Sequence, residues 1–265
     1  MKLVVITGQK GGVGKTLTAQ ALSTWLRRKQ ATWRGIDTDQ ENKFFADANK
    51  EEVRPYTLYD TAGRLVDETI NDIVDEIAKA VEANIDVFVV DMGAGQLQAL
   101  IGGMRETGLL SELGKSLELT AIYVLTQDVQ SLSTLVNNHT ILDGLRGTKW
   151  IVLLNERDGP VTLYLESDAL RPAMAERDAS EIQMPNVADK SVFRSFNESG
   201  LQLDQFLDPA RQQSWAQRGR LQVWLDAFTT QFDTLAAHLA PSGPSGTKKA
   251  ARGQANAAAT APTAP

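Results

Sequence analysis

The run Thr7-Gly8-Gln9-Lys10-Gly11-Gly12-Val13-Gly14-Lys15-Thr16 follows directly on Leu3-Val4-Val5-Ile6. It leads into a segment that carries Leu17, Ala21, Leu22, Trp25 and Leu26 on one side. A continuous apolar run suits a parallel strand buried on both faces. Gly11, Gly12 and Gly14 admit backbone conformations barred to residues with a side chain, so successive N–H groups can turn inward around an anion. The helix that follows would point its positive N-terminus at the same place. Strand, loop, Lys-Thr and amphipathic helix in this order predict a nucleotide-phosphate cradle formed by Gly11, Gly12, Val13 and Gly14. Lys15 would neutralise the β- and γ-phosphates, and the Thr16 hydroxyl would complete a Mg²⁺ shell. The general pattern G-x-x-x-x-G-K-[ST] is broken, because its first glycine position holds Gln9. The chain satisfies K-G-G-x-G-K-[ST] instead, with Lys10 before the paired glycines.

At 265 residues and 42% apolar content the chain can bury a substantial core. The absence of cysteine excludes disulfides, thiolate zinc sites and cysteine-ligated iron–sulfur clusters. His139 and His238 are too few and too isolated for a histidine metal site, and His139 reads as an exposed helix residue. No stretch reaches the roughly 18 consecutive apolar residues of a membrane span. With only Lys2 ahead of the first strand, no signal peptide is expected, and a cytoplasmic location follows. A net charge of −6 argues against coating nucleic acid with the whole surface, while leaving room for a local basic patch.

Strand-like runs fall at 3–6, 32–36, 53–58, 87–90, 120–125, 150–154 and 181–184. Apolar spacings of three and four predict helices near 15–29, 66–83, 96–114, 128–145, 163–177 and 208–239. This alternation predicts an α/β fold, a mostly parallel twisted sheet flanked by helices on both faces, with its ligand beyond the carboxyl ends of the strands. The stripe Leu221, Trp224, Leu225, Phe228, Phe232, Leu235 and Leu239 reads as the core side of a closing helix, with a partner-binding face as the alternative. Residues 1–240 are expected to form one domain. The Ala/Pro-rich segment 241–265, with Lys248, Lys249 and Arg252, is expected to be a disordered tail.

Two further segments end in acids. Ile36-Asp37-Thr38-Asp39 closes the second strand, where two carboxylates can address a metal's water shell and an attacking water separately. Val87-Phe88-Val89-Val90 runs into Asp91-Met92-Gly93-Ala94-Gly95. An Asp there fits a Mg²⁺-supporting carboxylate, and Gly95 would let a backbone N–H approach a γ-phosphate. Alone, an Asp after a strand is often only a helix cap.

Together Lys10-Gly11-Gly12-Val13-Gly14-Lys15-Thr16, Asp37-Thr38-Asp39 and Asp91-Met92-Gly93-Ala94-Gly95 resemble the ParA/MinD superfamily of deviant phosphate-loop ATPases over roughly residues 1–200. The resemblance implies that ATP and Mg²⁺ are bound and ATP is hydrolysed. It implies that Lys10 reaches the partner's nucleotide across a face-to-face homodimer, that Asp39 positions the hydrolytic water, and that Asp37 and Asp91 support the metal. Asn155, ending Leu153-Leu154, is similar to the family's adenine-recognising asparagine, and Met184-Pro185-Asn186, followed by Gly200, is similar to its late loop around the base. The chain departs from the family at Gln40, where proline is common, and in the Met-Gly-Ala that follows Asp91. Neither change removes a group the chemistry needs.

Without cysteines, electron-transfer and zinc-clamped members are excluded. An Ala/Pro-rich end is a poor membrane helix, and four scattered tyrosines do not match the tyrosine-kinase members. DNA partition or cargo positioning remains, with a protein partner that stimulates hydrolysis. Lys190, Arg194, Arg211, Arg218 and Arg220 are the candidates for nonspecific DNA contact, and ordinary solvated charge accounts for them equally well. Short stretches, among them Gly35–Asp39, Asn42 and Leu154-Asn155, are similar to the TraL/StbB-type ATPases of conjugative plasmids, which implies plasmid maintenance or transfer. A positioning module that does not bind DNA is the alternative, as is a MinD-like spatial regulator at a membrane.

Overall fold

The computed structural model describes residues 1–240 apart from 9, 41, 143, 144, 146, 188, 212 and 213, and omits the side chains of 134, 136–140 and 142. The tail assigned to 241–265 and the side chain of His139 therefore lie outside the described residues. Seven strands make one sheet: β1 (Lys2–Thr7), β2 (Trp33–Asp37), β3 (Val53–Pro55), β4 (Val87–Asp91), β5 (Glu118–Leu125), β6 (Lys149–Asn155) and β7 (Ser180–Met184). Their order is β3-β2-β4-β1-β5-β6-β7, and every pairing is parallel. All carboxyl ends therefore open on one rim, and β1 delivers its loop to the middle of it.

The helices are α1 (Lys15–Arg28), α2 (Phe44–Ala48), α3 (Asp67–Glu82), α4 (Leu97–Glu106), α5 (Val129–Leu142), α6 (Thr162–Leu165), α7 (Leu170–Ala175), α8 (Ser191–Ser199), α9 (Leu203–Leu207), α10 (Trp215–Thr234) and α11 (Ala236–Leu239). They cover both faces. Val4 and Ile6 of β1 join one core with Leu22, Trp25, Phe196, Phe206, Phe228 and Phe232. Leu3 and Val5 join the other with Ile73, Ile77, Leu100, Met104, Tyr123 and Tyr164. A strand buried on both sides needs apolar residues at every position, which is why its sequence shows no alternation.

The stripe expected on one helix over 208–239 runs along α10 and on through Leu235 into α11, and it is core. Every residue from Leu221 to Leu239 named in it is buried, and Phe232 meets Trp25 edge-on with ring centroids 6.0 Å apart. Several expected elements are shorter than their apolar spacing predicts. The helix expected over 163–177 is two helices, because Pro172 has no N–H to donate and fits only the first turn of a helix. A new start forms at Leu170, whose N–H is held by Ser167 Oγ at 3.0 Å. The segment expected over 96–114 stops at Glu106, where Gly108 turns with φ 79° before a 3₁₀ turn at Leu109–Glu112. Helices α2, α8 and α9, of five to nine residues, were not expected from periodicity, which needs longer windows.

Gly35 of β2 faces Val89 of β4 with no room for a side chain. A Cβ built on it would lie 2.6 Å from the Val89 carbonyl oxygen. Since Val89 is backbone of the paired strand, it cannot swing aside. Gly35→Ala is expected to destabilise the fold by about 1–3 kcal/mol, the usual cost of overpacking, as a lower denaturant midpoint at unchanged slope.

Candidate functional site

The loop from Gly8 to Gly14 joins β1 to α1, and Gly12 and Gly14 take the left-handed φ values of 74° and 104° that glycine permits. Gly14 stands at the N-cap of α1 with φ 104°, and a Cβ there would come within 2.6 Å of Asn155 Nδ2. Lys15 is almost wholly buried, and its ammonium donates to the Lys10 carbonyl at 3.1 Å. Burial lowers its pKa, while Asp91 and then Asp39 favour its charged form.

Two carboxyl groups lie behind the loop. Asp37 and Asp91 are register partners at the ends of β2 and β4, and both are fully buried. Asp37 accepts the N–H groups of Asp39 and Ala46, each at 3.0 Å, yet desolvation still lifts its pKa to about 6. Asp91 is raised further above the usual carboxylate range, first by burial and then by Asp37. Neither of its oxygens has a donor at hydrogen-bonding geometry, although the Thr16 hydroxyl and Lys15 lie close enough to favour its anion. A buried acid without partners beside a second one is a poor structural element and a fitting support for a cation. Among the described residues no three Asp, Glu or His side chains converge on a metal position. A cation here would draw on Thr16, phosphate oxygens and water, as Mg²⁺ commonly does.

Thr38 holds the two strand ends in register. Its Oγ accepts the Gly93 N–H at 2.9 Å and donates to Gln96 Oε1 at 2.5 Å, and its own N–H bonds the Asp91 carbonyl at 3.0 Å. Asp39 lies further out, with its Oδ1 accepting the Asn42 N–H at 3.1 Å.

The loop, the start of α1 and Asp39 border a cavity of about 500 Å³. Its floor is Gly11, Gly12, Gly14, Lys15 and Thr16. Asp39 stands on one side, Asn155 and Pro185 on the other, and Phe44, Val187 and Phe193 supply apolar wall. Asn155 donates to the Val13 carbonyl at 2.7 Å and accepts the Arg157 N–H at 3.0 Å, so it also braces the loop. Sequence reasoning missed Arg157. Its Nη1 donates to the Gly12 carbonyl and its Nε to Asp158, which also takes Lys190 at 3.3 Å. Only its place two residues after Asn155 could have signalled it.

Lys10, Val13, Gly95, Asp37 and Asp91 do not line the cavity. Val13 is core, Gly95 is an exposed left-handed turn (φ 73°), and the two acids sit beneath the surface. Lys10 instead meets Asp128 Oδ2 at 2.5 Å. Of the five basic residues, Lys190 lines the cavity, Arg220 is paired with Asp189, and Arg194 and Arg211 are exposed with no ion pair among the described residues. Arg218 is half-buried, with Nε and Nη1 enclosed and unpartnered. They do not form one free basic face. No helix among the described residues is long and apolar enough to cross a membrane.

The buried acids make a pH prediction. In the unfolded chain Asp37 titrates near its ordinary value of 3.8, and in the folded chain near 6, so between these the folded state holds the extra proton. Its contribution to stability is therefore largest below about pH 4 and falls by roughly 2–3 kcal/mol as pH rises through 6. A ¹³C titration of the side-chain carboxyl in metal-free protein is expected to give a midpoint near 6, moving sharply down when Mg²⁺ and nucleotide are added. A midpoint near 4 in metal-free protein would refute it.

No curated protein matches the sequence. Among solved structures, the septum site-determining protein MinD of Pyrococcus horikoshii, complexed with Mg-ADP, is 18% identical, with 91% of this chain and 100% of that one covered at a TM-score of 0.52. The cell division ATPase MinD of Pyrococcus furiosus is 14% identical over 87% and 99% (TM-score 0.51). The MinD cell division protein of Aquifex aeolicus is 17% identical over 88% and 98% (TM-score 0.50). At these identities the likeness is one of fold. A family model of the CobQ/CobB/MinD/ParA nucleotide binding domain matches residues 4–171. With the phosphate loop, the buried acids and all strands of the parallel sheet but β7 wholly or largely inside that match, the chain belongs to the CobQ/CobB/MinD/ParA nucleotide-binding family.

Proposed function

We propose that the protein is an ATP-dependent dimerising switch that hydrolyses ATP slowly and acts in spatial positioning, with DNA partition or plasmid maintenance and transfer as its setting. The observation that carries this reading is Lys10. It belongs to the phosphate loop, yet it does not line its own cavity and its ammonium meets Asp128 on the surface. A phosphate-loop lysine directed outward is suited to a second copy's nucleotide.

Within one copy, the loop N–H groups and the Lys15 ammonium bind and orient the triphosphate, and Asn155 with Pro185 borders the base. Asp39, at the cavity's edge, orients the attacking water. A Mg²⁺ ion held by Thr16 with support from Asp37 and Asp91 would neutralise charge on the transferred phosphoryl group. Lys10 of the second copy adds positive charge where negative charge accumulates, so dimer and intact ATP favour one another. That Pyrococcus horikoshii MinD, of the same fold, is complexed with Mg-ADP supports this choice of ligand.

Lys10→Ala is expected to weaken ATP-dependent dimerisation by more than about tenfold while monomer ATP affinity stays close to wild type, as read by light scattering and nucleotide titration. Normal dimers in that variant would sink the reading. For DNA, retention on a nonspecific duplex is expected only with ATP and is expected to weaken steeply with salt. A dimer that ignores DNA at low salt would favour cargo positioning through protein contacts alone.

A further inference from the structure

Lys10 is engaged at both ends. Its carbonyl accepts the Lys15 ammonium at 3.1 Å, and its own ammonium is bound by Asp128. Asp128 is held in place by the turn that leads from β5 into α5. Its Oδ1 accepts the Gln130 N–H at 2.8 Å, its N–H donates to the Thr126 carbonyl at 2.7 Å, and Ser131 Oγ accepts the Thr126 N–H at 3.2 Å. One carboxylate oxygen is thus used to start the helix and the other is presented to Lys10.

Two exposed apolar side chains belong to the same turn or are tied to it. Val129 is 71% exposed and Leu163 is 41% exposed. Leu163 is tied to the same turn, since its N–H donates to Gln127 Oε1 at 3.2 Å while Gln127 Nε2 bonds Thr162. Among the described residues only Leu65, Trp215 and Val223 are comparably exposed large apolar side chains. Two of the five therefore lie on, or are bonded to, the turn whose Asp128 holds the phosphate-loop lysine that does not line its own cavity. A solvated face would not need them, whereas a face covered by another chain would.

We propose that Asp128 is a latch that holds Lys10 within its own chain, and that Asp128, Val129 and Leu163 form the part of the surface that a second copy covers when the latch opens. The inference rests on the dimer reading above and adds its control. Triphosphate oxygens compete for the Lys15 ammonium and draw it from the Lys10 carbonyl. Gly11 and Gly12 then let the Lys10 segment turn, and its ammonium exchanges Asp128 for the second copy's phosphates. Exposed ion pairs are weak, so the latch sets the ATP level at which dimers form and does not block them. Each copy carries one latch, so its effect enters the dimer constant twice.

The test compares the full chain with Asp128→Asn and Val129→Lys by light scattering across ATP concentrations. Thermal midpoints and monomer ATP titrations check that each variant folds and binds nucleotide. Asp128→Asn keeps an oxygen for the Gln130 N–H and loses the charge. It is expected to tighten ATP-dependent dimerisation about three- to fivefold per copy, hence about ten- to twenty-five-fold overall. In Asp128→Asn combined with Lys10→Ala that gain is expected to disappear. Val129→Lys is expected to weaken dimerisation while monomer ATP affinity is retained. If the wild-type chain does not dimerise with ATP, the dimer reading itself fails. If the wild type dimerises and Asp128→Asn does so equally or more weakly, the latch is wrong. Unaltered dimerisation of Val129→Lys would overturn the assigned surface.

Discussion

Two carboxyl groups buried side by side at the ends of β2 and β4 set the terms for the rest of the molecule. Asp37 and Asp91 are where parallel pairing of their strands puts them; burial makes both harder to ionise, and Asp37 adds to that for Asp91. Removing charge from water is costly unless a partner is supplied. Asp37 obtains part of that from two backbone N–H groups, whereas the oxygens of Asp91 meet no donor at bonding geometry. The fold therefore carries a local instability that a bound cation would relieve, and the start of α1, with Lys15 and Thr16, lies against it. Stability and ligand binding are linked through the same two side chains.

Much of this was legible in the chain, for identifiable reasons. Residues 3–6 are buried on both faces, so their uninterrupted apolar character declares a central strand. The phosphate loop is legible because its chemistry is local: three glycines, Lys15 and Thr16 lie within six consecutive residues. Asp37 and Asp91 are legible because a strand end is a local event as well. What escaped reading is assembled over long separations. Thr38 and Gln96 lie 58 residues apart, and Arg157 reaches the Gly12 carbonyl across 145. Polar side chains with no period give no pattern until the sheet brings strand ends together. The short helices escaped for the opposite reason, since five to nine residues contain too few turns to show a period.

The structure also changes how one residue type is read at several places. Five basic residues with similar sequence surroundings have different environments: Lys190 lines the cavity, Arg220 is paired with Asp189, Arg218 is half-enclosed, and Arg194 and Arg211 face solvent. Net charge and local composition could not separate these, because what distinguishes them is which acid lies opposite. Asn155 shows the converse. Its side chain holds the Val13 carbonyl and the Arg157 N–H, so a base contact, if it makes one, comes from a group already fixed by the loop. Such a group is pre-organised, and its ordering is complete before a ligand arrives.

The same logic separates the loop's two lysines. Lys15 is buried, adjoins the acids and cannot leave them without exposing their charge, so it is committed to its own cavity. Lys10 is exposed and held by one carboxylate, an arrangement that costs little to break. A weakly held cation can change partner on a modest signal, and a buried one cannot. On the proposed dimer, exchange of Lys10 between an acid of its own chain and the phosphates of another would therefore be the step in this site most open to control, while Lys15 and the buried acids supply the fixed background against which it would act.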